Sequence, residues 1–363
     1  MIRFIFFSKT MLSETPRIRH QLADLLISYG HEVVFYQRPL FFFKKNKGLV
    51  KQQVTNMLEA RQTKQLVHHQ LRVFSWISKL NADYEVGQIK SSCSGFNESD
   101  VVINFNYDYF FLRKIFKSNK IITLINDDFV AQAKFNKGRH ILKVLSKTAV
   151  ISDAVLTVSY PLCNQSSFFS DNVQLFLPWS KEGFTQPVQS ERNTVLLWAH
   201  IDSRVDFKLI KYVLNNNKDC FFDFVGPVSK NNLDDISELV KEFSNLSLYS
   251  SCSLNDLPLD KYFASIIPYK AGFGDIEAVT ASNKTFQLLA KGLPLVTHGM
   301  PYFLEHESIY KAKSYDEFSF FIKKAHEDFY KLQPSIEELV NEQQSAQRYA
   351  QIMSIVNEES SSI

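Results

Sequence analysis

The stretch from Pro268 to Pro301, PYKAGFGDIEAVTASNKTFQLLAKGLPLVTHGMP, leaves few folds open. It reads as the end of a strand, a polar loop, a helix, a short apolar strand and a turn. Ser282 and Asn283 are N-cap types, Phe286, Leu288, Leu289 and Ala290 form the inward side, and Gly292 ends the helix. Leu293–Val296 has the pattern of a buried parallel strand. A loop opening into a helix N-terminus presents unpaired N–H groups and a positive dipole end. Lys284, in the first turn, is electrostatically misplaced there unless an anion binds, which suggests a diphosphate; the alternative is a solvated surface lysine.

The same alternation starts at the N-terminus. Ile2–Phe7 has the pattern of a buried strand, and the loop Ser8–Glu14 leads into a helix predicted to take Thr15 as N-cap and Pro16 at its first position. Ile18, Leu22, Leu25, Leu26 and Tyr29 are its apolar side and Gly30 its stop. His31–Tyr36 is the next strand, so the unit opens a doubly wound α/β sheet. Arg17, Arg19 and His20 fall in the first turns of that helix; they either hold an anionic acceptor, such as a lipid diphosphate or an acidic sugar, or form a solvated basic face. Strands at 99–105, 120–125 and 154–159 end in Asn106-Tyr107-Asp108, Asn126-Asp127-Asp128 and Tyr160-Pro161. Polar residues thus collect at the carboxyl ends, the edge at which open α/β sheets bind ligands.

The 363 residues suffice for two domains, each with its own core. We expect a first domain over 1–180, a linker over 181–193, a second α/β domain over 194–340, and a tail over 341–363 whose helix crosses back and whose end is frayed. No apolar run approaches the roughly 18 residues of a membrane span. MIRFIFFS reads as a first core strand and not a secretion signal. Cys93, Cys163, Cys220 and Cys252 are far apart, which leaves metal binding and a disulfide framework unsupported and makes reduced cytosolic thiols the expectation.

Charge is uneven. Residues 1–180 hold 23 Lys and Arg against 13 Asp and Glu, and the remainder 18 against 25. The halves therefore face different partners. Phe41-Phe42-Phe43-Lys44-Lys45-Asn46-Lys47 puts aromatics beside lysines, and Lys51, Arg61, Lys64, Arg72, Phe74 and Trp76 continue the theme in a region read as helix and strand. That composition suits the interface of an anionic bilayer. Nucleic acid is the other polyanion such a region meets, but no RNP-like, helix-turn-helix or zinc pattern accompanies it.

Asn283-Lys284-Thr285-Phe286-Gln287-Leu288-Leu289-Ala290-Lys291-Gly292-Leu293-Pro294-Leu295-Val296 resembles the nucleotide-sugar motif N-K-x-x-E-x-x-A-x-G-x-P-V-V of GT-B glycosyltransferases. Gln287 replaces the usual Glu, which changes a ribose-binding carboxylate into an amide. His31-Glu32-Val33, Ala154–Ser159, His200–Asp206 and Phe222–Pro227 are similar to further stretches of bacterial GT-B enzymes of polysaccharide biosynthesis, the membrane-associated glucuronosyltransferases of xanthan synthesis among them. The resemblance implies two Rossmann-like parallel-sheet domains facing across a cleft. It implies Asp127 as catalytic base, with Asp128 as the alternative one residue on, and Tyr269, Lys284, Gln287, Asn283, Ser282, Glu277 and Gly226 as donor-binding candidates.

Asp127 and Asp128 are adjacent, so only one side chain enters a cleft from an extended strand end. The retaining enzymes' first glutamate is Val279 here, which favours inversion. The expectation is a cytoplasmic, peripherally membrane-docked glycosyltransferase. It would need no cofactor and no metal, take a nucleotide sugar (a UDP-sugar) and a lipid-linked saccharide as substrates, and bind no nucleic acid. A non-hydrolysing nucleotide-sugar epimerase of the same fold and a non-catalytic polyanion-binding protein are the rival readings.

Overall fold

A computed structural model describes residues 1–14, 17–41, 50–67, 71, 74–92, 95–133, 135 and 137–358. The chain forms two compact units, Met1–Leu177 with Arg348–Ile363, and Pro178–Gln347. Thr15, Pro16, Phe42–Lys47, Arg72, Cys93 and the last five residues, all named above, lie outside the described residues.

The first unit contains β1 (Arg3–Phe7), α1 (Ile18–Ser28), β2 (Glu32–Phe41), β3 (Val50–Thr55), β4 (Leu58–Gln65), α2 (Ser75–Ser92), β5 (Val101–Asn104), β6 (Ile121–Ile125), α3 (Gly138–Val150), β7 (Ala154–Thr157), α4 (Tyr160–Ser166) and β8 (Val173–Leu175). They build an eight-stranded sheet in the order β3-β4-β2-β1-β5-β6-β7-β8. Every neighbouring pair is parallel except the β3–β4 hairpin. The order reverses between β1 and β5, so a crevice opens at the carboxyl ends of those strands.

Register fixes which helices share a face. Ile5 lies beside Val102, Val102 beside Ile121, and Thr123 beside Val155. Ile5, Val102 and Ile121 pack under Ala82 and Ile89 of α2, and Ile125 and Val155 pack under Leu145 and Ala149 of α3. Because side chains alternate along a strand, α2 and α3 cover the same side of the sheet.

The segment read as helix and strand around 50–66 is a hairpin. Arg61 is buried in it, with Nε donating to Glu59 Oε1 at 2.7 Å and the guanidinium 4.8 Å from the Phe96 ring centroid. It is therefore an internal cation and not part of a basic surface.

The second unit contains β9 (Thr194–Trp198), α5 (Phe207–Asn216), β10 (Phe221–Val225), α6 (Leu233–Glu242), β11 (Leu246–Tyr249), β12 (Tyr262–Pro268), α7 (Thr285–Ala290), β13 (Leu295–His298), β14 (Ile309–Ala312), α8 (Tyr315–Glu327) and α9 (Gln333–Glu342). Its six parallel strands run β11-β10-β9-β12-β13-β14, the dinucleotide-fold order with its reversal between β9 and β12. Residues 181–193 lie within this unit, tied down by buried Arg192, whose guanidinium donates to Leu259 O, Tyr262 O and Val188 O. The last helix, α10 (Ser345–Asn357), belongs to the first unit from Arg348 on, where Arg348 Nε donates to Leu177 O and Tyr349 stacks on Tyr29 at 3.7 Å. No described helix is long and apolar enough to cross a membrane.

Candidate functional site

In each unit the polar side chains singled out from the sequence gather at the carboxyl edge of the sheet. In the second unit β9 ends at Trp198, and the turn to α5 carries Asp202 and Arg204. Arg204 grips Asp202 as a fork, Nε to Oδ1 at 2.9 Å and Nη2 to Oδ2 at 2.7 Å. Burial by itself would push the Asp202 carboxyl up; the hydrogen bonds and charge of Arg204 outweigh it and hold the group below the usual carboxylate range. The Arg204 guanidinium also lies 5.6 Å from the ring centroid of Tyr269, which follows β12. Asp206 caps α5, its Oδ1 accepting from Lys208 N and Leu209 N.

Lys284 is half-buried at the mouth of α7, its ammonium 5.9 Å from the Trp198 ring centroid. Burial, and then the charge of Arg204, pull its pKa down from 10.5 to about 8, against the opposing pull of Asp202. Two cations thus stand together at the switch point, one lowering the proton affinity of the other. Among the described residues no carboxylate forms an ion pair with Lys284. This is the electrostatic arrangement that a dianionic ligand relieves.

The local structure differs from the expected cap. Lys284, not Ser282 or Asn283, holds the N-cap position, because residues 282–285 close a turn first: Thr285 N donates to Ser282 O, and Ser282 N to Thr285 Oγ1. The helix is correspondingly short, six residues. Gln287 Nε2 donates to Asn283 O at 2.9 Å, which leaves the amide oxygen as the acceptor facing outward from that bond. Asn283 itself is exposed. Glu277 is exposed on a short turn of helix over Gly274–Ala278 and makes no ion pair among the described residues. Gly226 follows β10 with φ +149°, and a Cβ there would lie 1.9 Å from Ala199 O. Its contribution is the close approach of the β9 and β10 turns, which no side chain permits.

In the first unit, half-buried Asp127 and Asp128 follow β6 and take different hydrogen-bond partners. Asp128 Oδ1 accepts from Val130 N at 3.1 Å and Ala131 N at 2.8 Å, so this carboxylate caps a turn. Asp127 Oδ2 accepts from Asn126 Nδ2, and its charge is the strongest opposite influence on Arg19.

Arg19 is buried at the β1–β5 reversal. Nη1 donates to Ser8 Oγ and Thr10 Oγ1, the guanidinium lies 5.6 Å from the Phe105 ring centroid, and Nε is buried with no partner. Burial brings its pKa down to about 10. A solvated basic face therefore does not describe Arg19. It does not describe His20 either: the ring Nδ1 accepts from Arg17 N at 3.0 Å, Nε2 faces Met11 O at 3.1 Å, and the ring stacks on Phe35. With both nitrogens engaged, and its pKa lowered by burial, His20 is a neutral cap that fastens the β1–α1 loop. Arg17, at the N-cap position in place of Thr15, is exposed.

Asn106 and Asp108 are spaced like a metal-binding pair, but Asp108 is buried against Lys9 Nζ at 2.6 Å, and Asn106 N and O pair with the Asn104 side chain. Among the described residues no three His, Cys, Asp or Glu side chains come together as a ligand set.

Arg204, Asp202 and Trp198 were not among the candidates drawn from the sequence. The available signal was the Asp-x-Arg spacing within the His200–Asp206 stretch, which identifies a fork only once the turn brings both side chains to the strand end.

Two Rossmann-like units with polar carboxyl edges define the GT-B fold, as the sequence motifs imply. Solved structures with this fold include WaaG, a glycosyltransferase involved in lipopolysaccharide biosynthesis, at 12% identity and a TM-score of 0.63 over 99% of this chain and 100% of that one. HepE of Anabaena, solved in complex with UDP, matches at 10% identity and a TM-score of 0.67 over 98% and 99%. The lipopolysaccharide outer core galactosyltransferase WaaB matches at 10% identity and 0.65 over 98% and 99%. At these identities the likeness is one of fold. At the level of sequence, no protein-family model and no curated protein matches the chain.

Proposed function

We propose that this chain is an inverting, metal-independent glycosyltransferase that moves a sugar from a UDP-sugar to a lipid-linked saccharide in surface polysaccharide assembly. The observation that carries the reading is the pairing of half-buried Lys284 with Arg204 at the carboxyl edge of the second sheet. A departing nucleoside diphosphate needs cationic stabilisation at that kind of site. Trp198, Tyr269 and the Gln287 amide add apolar and hydrogen-bonding surface. The UDP in HepE and the lipopolysaccharide role of WaaG support the donor and the class of product.

In the first unit, Asp127 takes the proton from the acceptor hydroxyl as that oxygen bonds to the anomeric carbon. The bond from that carbon to the diphosphate oxygen breaks, and the electron pair leaves with the nucleotide, where Lys284 and Arg204 balance it. Buried Arg19 is a positive charge on which Asp127 acts more strongly than any other charged group. Val279, in place of a first glutamate, supports inversion. The acceptor's lipid places the enzyme at the cytoplasmic face of an anionic membrane, with no role for nucleic acid.

The test is incubation of the purified protein with a panel of nucleotide sugars and lipid-linked acceptor, following free nucleoside diphosphate and glycolipid. Asp127→Asn should abolish transfer and leave UDP affinity intact. Equal loss of both would remove the base assignment, and epimerised donor without glycolipid would replace transfer by epimerisation.

A further inference from the structure

We infer that the outer layer formed by α2 and α3 is the surface through which the first unit lies on an anionic bilayer. The inference rests on the membrane reading just given and supplies its location. Both helices cover the same side of the sheet, so their outward faces form one side of the unit. On α3, Arg139, Lys143 and Lys147 are exposed at intervals of four and fall on one stripe, and the helix GRHILKVLSKTAV contains no acidic residue. On α2, Trp76 is 67% exposed and Leu80, one turn on, 45%.

The two helix starts are joined. The ring of Phe74, just before α2, lies 6.0 Å from that of Phe135, just before α3, and Phe135 is itself 62% exposed. Lys137 places its ammonium 5.6 Å from the Phe74 ring centroid. The crossover between β5 and β6, on the same side, adds exposed Lys114 and Lys117. Acidic side chains are few: Glu85 is buried, and Asp83 is the exposed one on α2.

Large exposed aromatic and aliphatic groups set among cations match the headgroup boundary of a bilayer, where rings sit at headgroup depth and lysines meet phosphate. A nucleic acid would use the cations but gives Leu80 no partner, so the bilayer is the better match. The basic excess of the N-terminal half thereby acquires a place, and it is not Arg61, which is internal.

The experiment is flotation of the full-length protein with phosphatidylcholine vesicles, with and without phosphatidylglycerol. At about 1 kcal/mol per lysine, Lys143→Gln with Lys147→Gln should weaken partitioning to anionic vesicles roughly thirtyfold. Trp76→Ser with Leu80→Ser, on the other helix, should weaken it independently. Lys230→Gln with Lys241→Gln, exposed in the second unit, should leave it unchanged. Wild-type flotation by both helix variants would overturn the surface, as would failure of the wild type to float or preferential binding of single-stranded RNA over anionic vesicles. Release of UDP from donor by the wild-type protein separates the two readings: flotation without catalysis counts against the transferase, and catalysis without flotation counts against the surface.

Discussion

Replacing Lys284 by alanine tests the donor site most directly. At about 4 Å and an effective dielectric near 20, an ammonium attracts one phosphate charge by about 4 kcal/mol before its desolvation is subtracted. Hydrogen bonds to charged groups net about 1.5–3 kcal/mol. An expected loss of about 2 kcal/mol raises the Kd for UDP roughly thirtyfold.

The lowered pKa adds a second signature. In the free protein Lys284 titrates at about 8, and a bound diphosphate raises that value, so binding takes up a proton at higher pH. The protonated form is the binding form. Affinity should hold below that pKa and fall about tenfold per unit above it, until the level of Lys284→Ala is reached. Isothermal titration calorimetry of UDP across this range, in buffers of different ionisation enthalpy, reads both the affinity and the proton uptake. The same pH dependence in Lys284→Ala, or an unchanged affinity, would refute the placement of this lysine against the diphosphate.

The adjacent aspartates should separate by phenotype. Asp127→Asn should stop transfer without affecting thermal stability, whereas Asp128→Ala removes a turn cap and should lower stability by about 1 kcal/mol with transfer retained; the reverse pattern, from calorimetry and transfer rates, would exchange their roles. Gly226→Ala forces a Cβ to within 1.9 Å of Ala199 O and should destabilise the second unit by roughly 2–3 kcal/mol, read as a lower thermal midpoint. Arg204→Lys keeps one charge but loses the fork to Asp202, and UDP binding should weaken by roughly 1–2 kcal/mol in a titration; wild-type affinity would mean that Arg204 serves only the turn.

The architecture was legible because it rests on local periodicity. Apolar runs such as Ile121–Ile125 and Phe221–Val225, each bounded by turn residues and spaced by amphipathic helices, admit little other than parallel sheets covered on both faces. The hairpin at 50–65 escaped because alternation along β3 and β4 is weak: β3 is an edge strand, exposed over residues 51–55, that mixes lysine, glutamine, valine and threonine. At the site, residue type and spacing marked Lys284, Asp127 and the basic start of α1, but could not say which side chains are solvated. His20 and Arg19 share a helix turn in the sequence, yet one is a neutral cap and the other a buried cation.

Sequence alone determined where most strands lie and which residue types follow them, since backbone propensity and apolar period act over a few neighbours; β2, expected to stop at Tyr36, runs on to Phe41, and β7, expected to reach Ser159, stops at Thr157. The company each charge keeps was decided only by tertiary structure. Arg204 reaches Lys284, and Arg19 feels Asp127, across distances in sequence that no periodicity spans, and burial sets the proton affinity of each.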